Sequence, residues 1–289
     1  MKRQIISFVM AVAGIGPAMG GPILAIPASA GSFGLLGGSV SNTGTSAITG
    51  NVGGTSTITG FGASNGTATG FVCTPTSGAP CTAGNDSAVT AAYNAIFNPG
   101  GTFSTAEGLT PTGLFTTGTN QTFLGNTVYA SAGDISTVTG TNLMFDAQGN
   151  SADVFVIQID GAFTVNGAMT FTLVNGAQAN HIFWIVTNAA TISVAGAAPI
   201  TFDGNILAGS SFTMSAATGG SGVLAGTING CVFATTANTL AGTTDVNGCT
   251  STGGATVPEP GSMGLAGLGC VMSLLVWRKC RRPNLALSR

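Results

Sequence analysis

The chain has 289 residues, 46 of them glycine, and only 6% are charged, against roughly a quarter in an average soluble domain. Every Lys and Arg sits near an end (Lys2, Arg3, Arg278, Lys279, Arg281, Arg282, Arg289), so the long middle has nothing to neutralise phosphate, and nucleic-acid partners are excluded. That middle carries Asp86, Glu107, Asp134, Asp146, Asp153, Asp160, Asp203 and Asp245 with a single histidine, and the 44% hydrophobic content of the whole chain argues for one folded domain rather than disorder.

Residues 1–30 read as a secretory signal peptide. Lys2 and Arg3 form a positive start, Ile5 to Ile15 an apolar core, and Ala28-Ser29-Ala30 a small-residue cleavage site after Pro22 and Pro27. The domain that follows is expected to span 31–250. Its turn signals, such as Asn42-Thr43-Gly44, Asn65-Gly66, Asn175-Gly176, Asp203-Gly204 and Asn229-Gly230, separate many short strands. A loop at about 63–84, holding Cys73 and Cys81 around two prolines, reads as a cap over one end of the fold. The next segment predicts a helix at about 86–97, capped by Asn85-Asp86, with Val89, Ala92, Tyr93, Ile96 and Phe97 on one stripe and Asn98-Pro99-Gly100 as its stop.

Further along, the strands 162–166, 169–174 and 181–186 with their turns make about one coil of a β-helix. Thr191-Ile192-Ser193-Val194 then recurs in character at Thr213-Met214-Ser215 and loosely at Thr235-Thr236, a period of 22 residues suited to a solenoid. Alternation along these strands turns Phe163, Val165, Ile192, Val194, Phe212 and Met214 inward. Thr164, Asn166, Thr191, Ser193, Thr213, Ser215 and Thr235 are then the expected outward set.

Cys73, Cys81, Cys231 and Cys249 belong to an exported domain, where four cysteines allow three pairings; proximity favours Cys73 with Cys81 and Cys231 with Cys249. No catalytic arrangement is expected. There is one histidine, His181, and Asp153 and Asp160 lie seven residues apart, on opposite sides of any straight strand. Neither a cofactor nor a metal is called for, because no cysteine spacing suits a metal.

A linker, 251–260, ends in Val257-Pro258-Glu259-Pro260. It is followed by the uncharged stretch Gly261 to Trp277 and the cluster Arg278-Lys279-Cys280-Arg281-Arg282, a tail over 261–282 just long enough to enter a bilayer. This tail resembles the PEP-CTERM sorting signal of Gram-negative bacteria. The resemblance implies passage across the inner membrane, a membrane-held stage through this transmembrane segment, recognition at Pro258, Glu259 and Pro260 by an exosortase-type enzyme, and an extracellular or cell-surface destination.

Several motifs of the middle occur in one order: Gly37-Gly38-Ser39-Val40-Ser41-Asn42-Thr43-Gly44, Ile48-Thr49-Gly50-Asn51-Val52-Gly53, Ala91-Ala92-Tyr93-Asn94, Phe145-Asp146-Ala147-Gln148-Gly149, Ile182-Phe183-Trp184 and Gly204-Asn205-Ile206-Leu207-Ala208. In this order they resemble the microbial ice-binding proteins over roughly 34–240. The resemblance implies an all-β fold with one flanking α-helix, a right-handed discontinuous β-solenoid of triangular cross-section, and adsorption of one flat face to an ice surface without enzymatic chemistry. It adds Thr43 and Thr45 to the candidate face. The alternative is a structural or adhesive extracellular matrix protein with no affinity for ice.

Overall fold

The computed structural model describes residues 26–62, 65–74, 81–97, 112–113, 120–194, 199–216 and 224–249. The basic and apolar parts of the expected signal peptide, the middle of the expected cap loop, and the whole sorting tail, including Pro258, Glu259, Pro260, Arg278, Lys279, Arg281 and Arg282, lie outside the described residues. Among the described residues no helix is long and apolar enough to cross a membrane. A single compact unit contains 21–257.

The chain opens with β1 (Phe33–Asn42), β2 (Ala47–Ile48), β3 (Asn51–Thr59), β4 (Thr67–Ala68) and β5 (Val72–Cys73), followed by α1 (Ala83–Phe97). Then come β6 (Thr112–Gly113), β7 (Gln121–Leu124), β8 (Thr127–Ser131), β9 (Ile135–Thr137), β10 (Thr141–Asp146), β11 (Phe155–Ile159), β12 (Phe163–Asn166) and β13 (Met169–Val174). The last eight strands are β14 (Ile182–Val186), β15 (Ala190–Val194), β16 (Ile200–Asp203), β17 (Asn205–Ala208), β18 (Ser211–Ala216), β19 (Leu224–Asn229), β20 (Val232–Ala241) and β21 (Thr243–Val246).

Each coil visits three faces in turn, and every strand pairing among the described residues is parallel. The first face runs β6, β8, β11, β14, β17, then the first halves of β20, β1 and β3, and β5. The second runs β9, β12, β15, β18, then the second halves of β20, β1 and β3. The third is split into β7-β10-β13 and β16-β19-β21-β2-β4. The stacking order is discontinuous in sequence: β1 lies beside β20, with Leu36 opposite Phe233 and Ser41 opposite Thr239. The expected solenoid is therefore present, with its N-terminal coils stacked beyond its C-terminal ones.

Alternation fills the inside. Phe123, Phe145, Phe155, Phe163, Trp184 and Phe202 are fully buried, and Phe163 stacks on Trp184 with centroids 5.1 Å apart. At the other end of the stack the core is made of smaller Leu35, Val40, Val52 and Ala234. Trp184 is held by its Nε1, which donates to the Asp203 carbonyl at 3.0 Å. Gly204 above it has φ +120°, and a Cβ there would meet the indole at 2.7 Å, so only glycine makes this turn.

The outer side of the first face is also apolar. Leu36, Val128, Val156, Phe183, Leu207 and Phe233 form a second cluster with Val89, Ala92 and Ile96 of α1. The helix stripe predicted from sequence is thus what covers this face. Its start differs: Thr82 supplies the cap, its Oγ1 accepting from Asn85 N at 3.3 Å, so the helix begins at Ala83 rather than near 86. Tyr93 anchors it from the side by donating to the Thr235 carbonyl at 2.7 Å.

The two disulfides are Cys73–Cys81 and Cys231–Cys249, the pairings that proximity favours. His181 closes a 3-10 turn, Ala179–His181, ahead of β14 rather than beginning that strand. Ala28-Ser29-Ala30 lies in a turn whose Ala30 N donates to the Pro27 carbonyl at 2.8 Å, with the Ala30 side chain buried.

Candidate functional site: the uncovered face

The three faces differ in what they offer to the outside. The first is apolar and lies under α1. The split face carries ionisable groups: Asp146 ends β10, Asp203 ends β16 and Asp245 lies in β21. Among the described residues, only the second face presents short uncharged side chains along its length.

Its register is continuous. Ser136 stands opposite Thr164, Thr164 opposite Thr191, Thr191 opposite Thr213, Thr213 opposite Thr239, Thr239 opposite Ser41, and Ser41 opposite Thr59. Seven neighbouring strands therefore place a hydroxyl at the same level. At about 4.8 Å per strand the row is about 29 Å long. Asn166, Ser193, Ser215 and Ala241 form a flanking row, and Ser211, Ala237, Ser39 and Thr57 another. Rows along a strand are separated by about 6.6–6.8 Å, two residues of extended chain.

The inward partners hold these strands in place. Phe163, Val165, Ile192, Met214, Phe212 and Leu240 are buried beneath these rows, so each outward Thr stands on a strand fixed by close packing. β-branching leaves Thr few rotamers, which holds methyl and hydroxyl in place.

Hydrogen bonding separates the ends of the main row from its middle. Ser136 Oγ accepts from Asn166 Nδ2 at 3.0 Å, and Thr59 Oγ1 donates to Ser41 Oγ at 3.3 Å. Among the described residues, the hydroxyls of Thr164, Thr191, Thr213 and Thr239 have no intramolecular partner, leaving both donor and acceptor capacity for water.

Of the residues predicted from sequence, Thr164, Asn166, Thr191, Ser193, Thr213 and Ser215 are brought together here. Thr43 extends the flanking row past Ala241, its N donating to the Leu240 carbonyl at 3.0 Å and its Oγ1 accepting from Gly242 N at 3.1 Å. Thr45 lies around the next corner, 3.2 Å from Thr243 Oγ1. Thr235 is also off the rows: it occupies the bend inside β20, with Oγ1 donating to the Ala208 carbonyl at 3.4 Å. Its expected position belongs to Thr239, which stands 26 residues after Thr213 rather than 22 because Gly226 follows Ala216 by 10 positions where its partner Ile200 follows Val194 by 6. Sequence reasoning also missed Ser136, Ser41 and Thr59. Ser41 lies in the motif Gly37 to Gly44, but only the stacking of β1 on β20 brings it into line.

The carboxylates do not converge. Asp153 is buried and its Oδ1 accepts from Asn126 at 2.6 Å, while Asp160 accepts from Thr187 at 3.4 Å. Burial pushes the Asp203 carboxyl above the ordinary range, partly offset by the amide of Asn229. Asp146 is held below it by hydrogen bonds from Asn175 and the Gln148 backbone. Among the described residues the one cluster with metal-like proximity is Cys73, Cys81 and Asp86, and both its sulfurs are joined in a disulfide.

The family model described as ice-binding-like matches residues 35–246, and that of the PEP-CTERM protein-sorting motif matches 256–282. The crystal structure of an ice-binding protein from the Antarctic ascomycete Antarctomyces psychrotrophicus is similar at TM-score 0.58 and 29% identity, covering 76% of this chain and 96% of that one. An ice-binding protein from an Antarctic biological consortium is similar at TM-score 0.53 and 26% identity, covering 78% and 91%. Among curated relatives, ice-binding protein K3-B1 of Typhula ishikariensis is 39% identical over 74 residues, 26% of this chain and 29% of that protein. An ice-binding protein of Flavobacterium frigoris (strain PS1) is 36% identical over 92 residues, 32% of this chain and 29% of that one. The matched stretches thus span under a third of either curated relative. With a match over most of its length, the chain belongs to the ice-binding-like family and carries a PEP-CTERM sorting motif that marks it as exported and sorted to the cell surface.

Proposed function

We propose that the domain adsorbs to ice through its uncovered face, with Thr164, Thr191, Thr213 and Thr239 at the centre and Asn166, Ser193, Ser215 and Thr43 beside them. The observation that carries this reading is the row of seven aligned hydroxyl residues on the one face that, among the described residues, has neither charge nor helix over it. Ice presents a neutral, repeating lattice of donors and acceptors. A rigid grid of methyl and hydroxyl groups at about 4.8 by 6.7 Å orders water with little side-chain entropy to lose. Adsorbed molecules then pin the crystal surface, and growth or recrystallisation slows without any covalent step. The family relatives named for ice binding support the same activity.

The tail adds the route. The sorting motif supports recognition at Pro258-Glu259-Pro260 by an exosortase-type enzyme after passage across the inner membrane, with the membrane segment as a transient anchor.

The test is ice recrystallisation inhibition by residues 31–256, which fall within the compact unit. Activity in the wild type and its loss in a folded Thr191→Tyr/Thr213→Tyr double variant support the assignment. Wild-type inactivity returns the lead to a structural matrix role, and activity retained by the double variant moves the site to another face.

A further inference from the structure

Five of the seven rungs in the main row, Ser136, Thr164, Thr191, Thr213 and Thr239, lie in coils that follow one another along the chain, each joined to the next by its own turns. Ser41 and Thr59 come from the other end of the chain and join the row where β1 docks on β20, a seam that no single turn crosses. Thr59 is also the outermost rung. Among the described residues, the stretch 57–59 of β3 pairs with β1 alone, because β5 meets only Val52 and Gly53. A strand held along one edge is where local opening concentrates, so this end of the face needs a fastening beyond backbone pairing.

Asn42 sits at that place. It follows Ser41 at the end of β1, at the corner between the open face and the split face, and is only 4% exposed. Its amide uses its full hydrogen-bonding capacity. Nδ2 donates to the Gly44 carbonyl at 2.7 Å and to the Gly60 carbonyl, just past Thr59, at 2.9 Å. Oδ1 accepts from Gly44 N at 3.3 Å and from Ser46 Oγ at 2.8 Å. Ser46 Oγ in turn accepts from Thr244 N of β21 at 2.8 Å. Through Ser46, one buried side chain thus links three stacked coils, from β21 across the seam to the end of β3. Two glycines make room for it: a Cβ at Gly60, where φ is +79°, would clash with the Asn42 carbonyl, and a Cβ at Gly66 with its Nδ2.

A buried amide with a complete set of partners fixes one arrangement, since any shift leaves polar groups unpaired away from water. Removing it has a local effect here. The Gly60 carbonyl also accepts from Gly66 N at 3.0 Å, and Ser46 Oγ has the Gly242 carbonyl at 3.5 Å, so neither partner is stranded.

We propose, on the ice-binding reading for what the face contacts, that Asn42 is a positioning residue of that face. It touches no ice itself, and it holds Ser41 and Thr59 at the level set by Thr239.

Hydrogen–deuterium exchange of the full-length protein, read by peptide mass spectrometry, tests the fastening without ice. Two variants reach the same bond independently: Asn42→Ala removes the amide, and Gly66→Ala puts a Cβ in the space of Nδ2. Each should exchange several-fold faster over 57–61 and at the wild-type rate over 190–194 and 211–216. Unchanged exchange over 57–61, or a uniform rise across all three stretches, overturns the proposal; if Asn42→Ala does not fold, Gly66→Ala decides alone. Recrystallisation inhibition supplies the link to the face. Thr59→Tyr should raise the end-point concentration several-fold in the wild-type background and add nothing to the deficit of Asn42→Ala, whereas Thr164→Tyr should be damaging in both. An undiminished effect of Thr59→Tyr beside Asn42→Ala overturns the positioning role. The expected exchange pattern in a protein whose wild type inhibits nothing refutes ice as the partner and leaves the fastening in place.

Discussion

Thr213 stands directly opposite Thr239, although 26 residues separate them in the chain and the intervening strand β19 belongs to a different face. The pairing continues the line Ser136–Thr164–Thr191 into the N-terminal coils at Ser41 and Thr59. A binding surface of this type acts through its regularity, so one bulky side chain in the row is more damaging than the loss of one hydroxyl.

The first prediction uses that asymmetry. Thr239→Tyr should abolish recrystallisation inhibition with an unchanged circular dichroism spectrum, and Thr201→Tyr, at an exposed site on the split face, should leave it intact. Equal losses in the two variants would refute assignment to one face.

Gain of function is the complementary case. Ala237 and Ala241 interrupt the flanking rows, Ala241 opposite Ser215 and Ala237 opposite Ser211 and Ser39. Replacing both with Thr adds two methyl and hydroxyl pairs without filling the core. The double variant should inhibit recrystallisation at a lower end-point concentration than wild type.

The Cys231–Cys249 bridge closes a sequence separation of 18 residues, for which chain-entropy arguments give about 3 kcal/mol of stabilisation. A Cys231→Ser/Cys249→Ser variant should lose an amount of that order in a chemical denaturation series. A reducing agent should lower the wild-type midpoint and leave that bridge's contribution absent from the variant.

Asp203 sets a pH dependence. Its pKa is raised in the folded state, chiefly by burial, so its contribution to stability is fully present below the unfolded carboxylate value of about 3.9 and is lost as pH rises through the folded value. Asp203→Asn removes a charge that the fold disfavours, and an asparagine Oδ1 still accepts from Asn229. The variant should melt above wild type at neutral pH, with the advantage vanishing near pH 3. A constant difference across that range would assign the effect to packing instead.

Much of this was legible in the sequence because it depends on short-range rules. Alternation in Phe163-Thr164-Val165-Asn166 and Thr191-Ile192-Ser193-Val194 assigns inside and outside correctly, since successive side chains in a strand point to opposite faces. The helix stripe Val89, Ala92 and Ile96 follows from helical spacing, and both cysteine pairings from proximity in an oxidising compartment. Composition alone placed every Lys and Arg near the ends of the chain, which argues against phosphate neutralisation by the middle.

What the tertiary structure decided is which outward residues share a row. Register is imposed by hydrogen bonds between strands, and the turns between them are free to differ in length: Thr164 to Thr191 takes 27 residues, Thr191 to Thr213 takes 22 and Thr213 to Thr239 takes 26. Extending a constant period therefore arrives at Thr235, which sits in the bend of β20, and misses Thr239. The placement of β1 beside β20 is a still longer-range choice, made by burying Leu35, Val40 and Val232 in one core. Only that burial brings Ser41 and Thr59 onto the face.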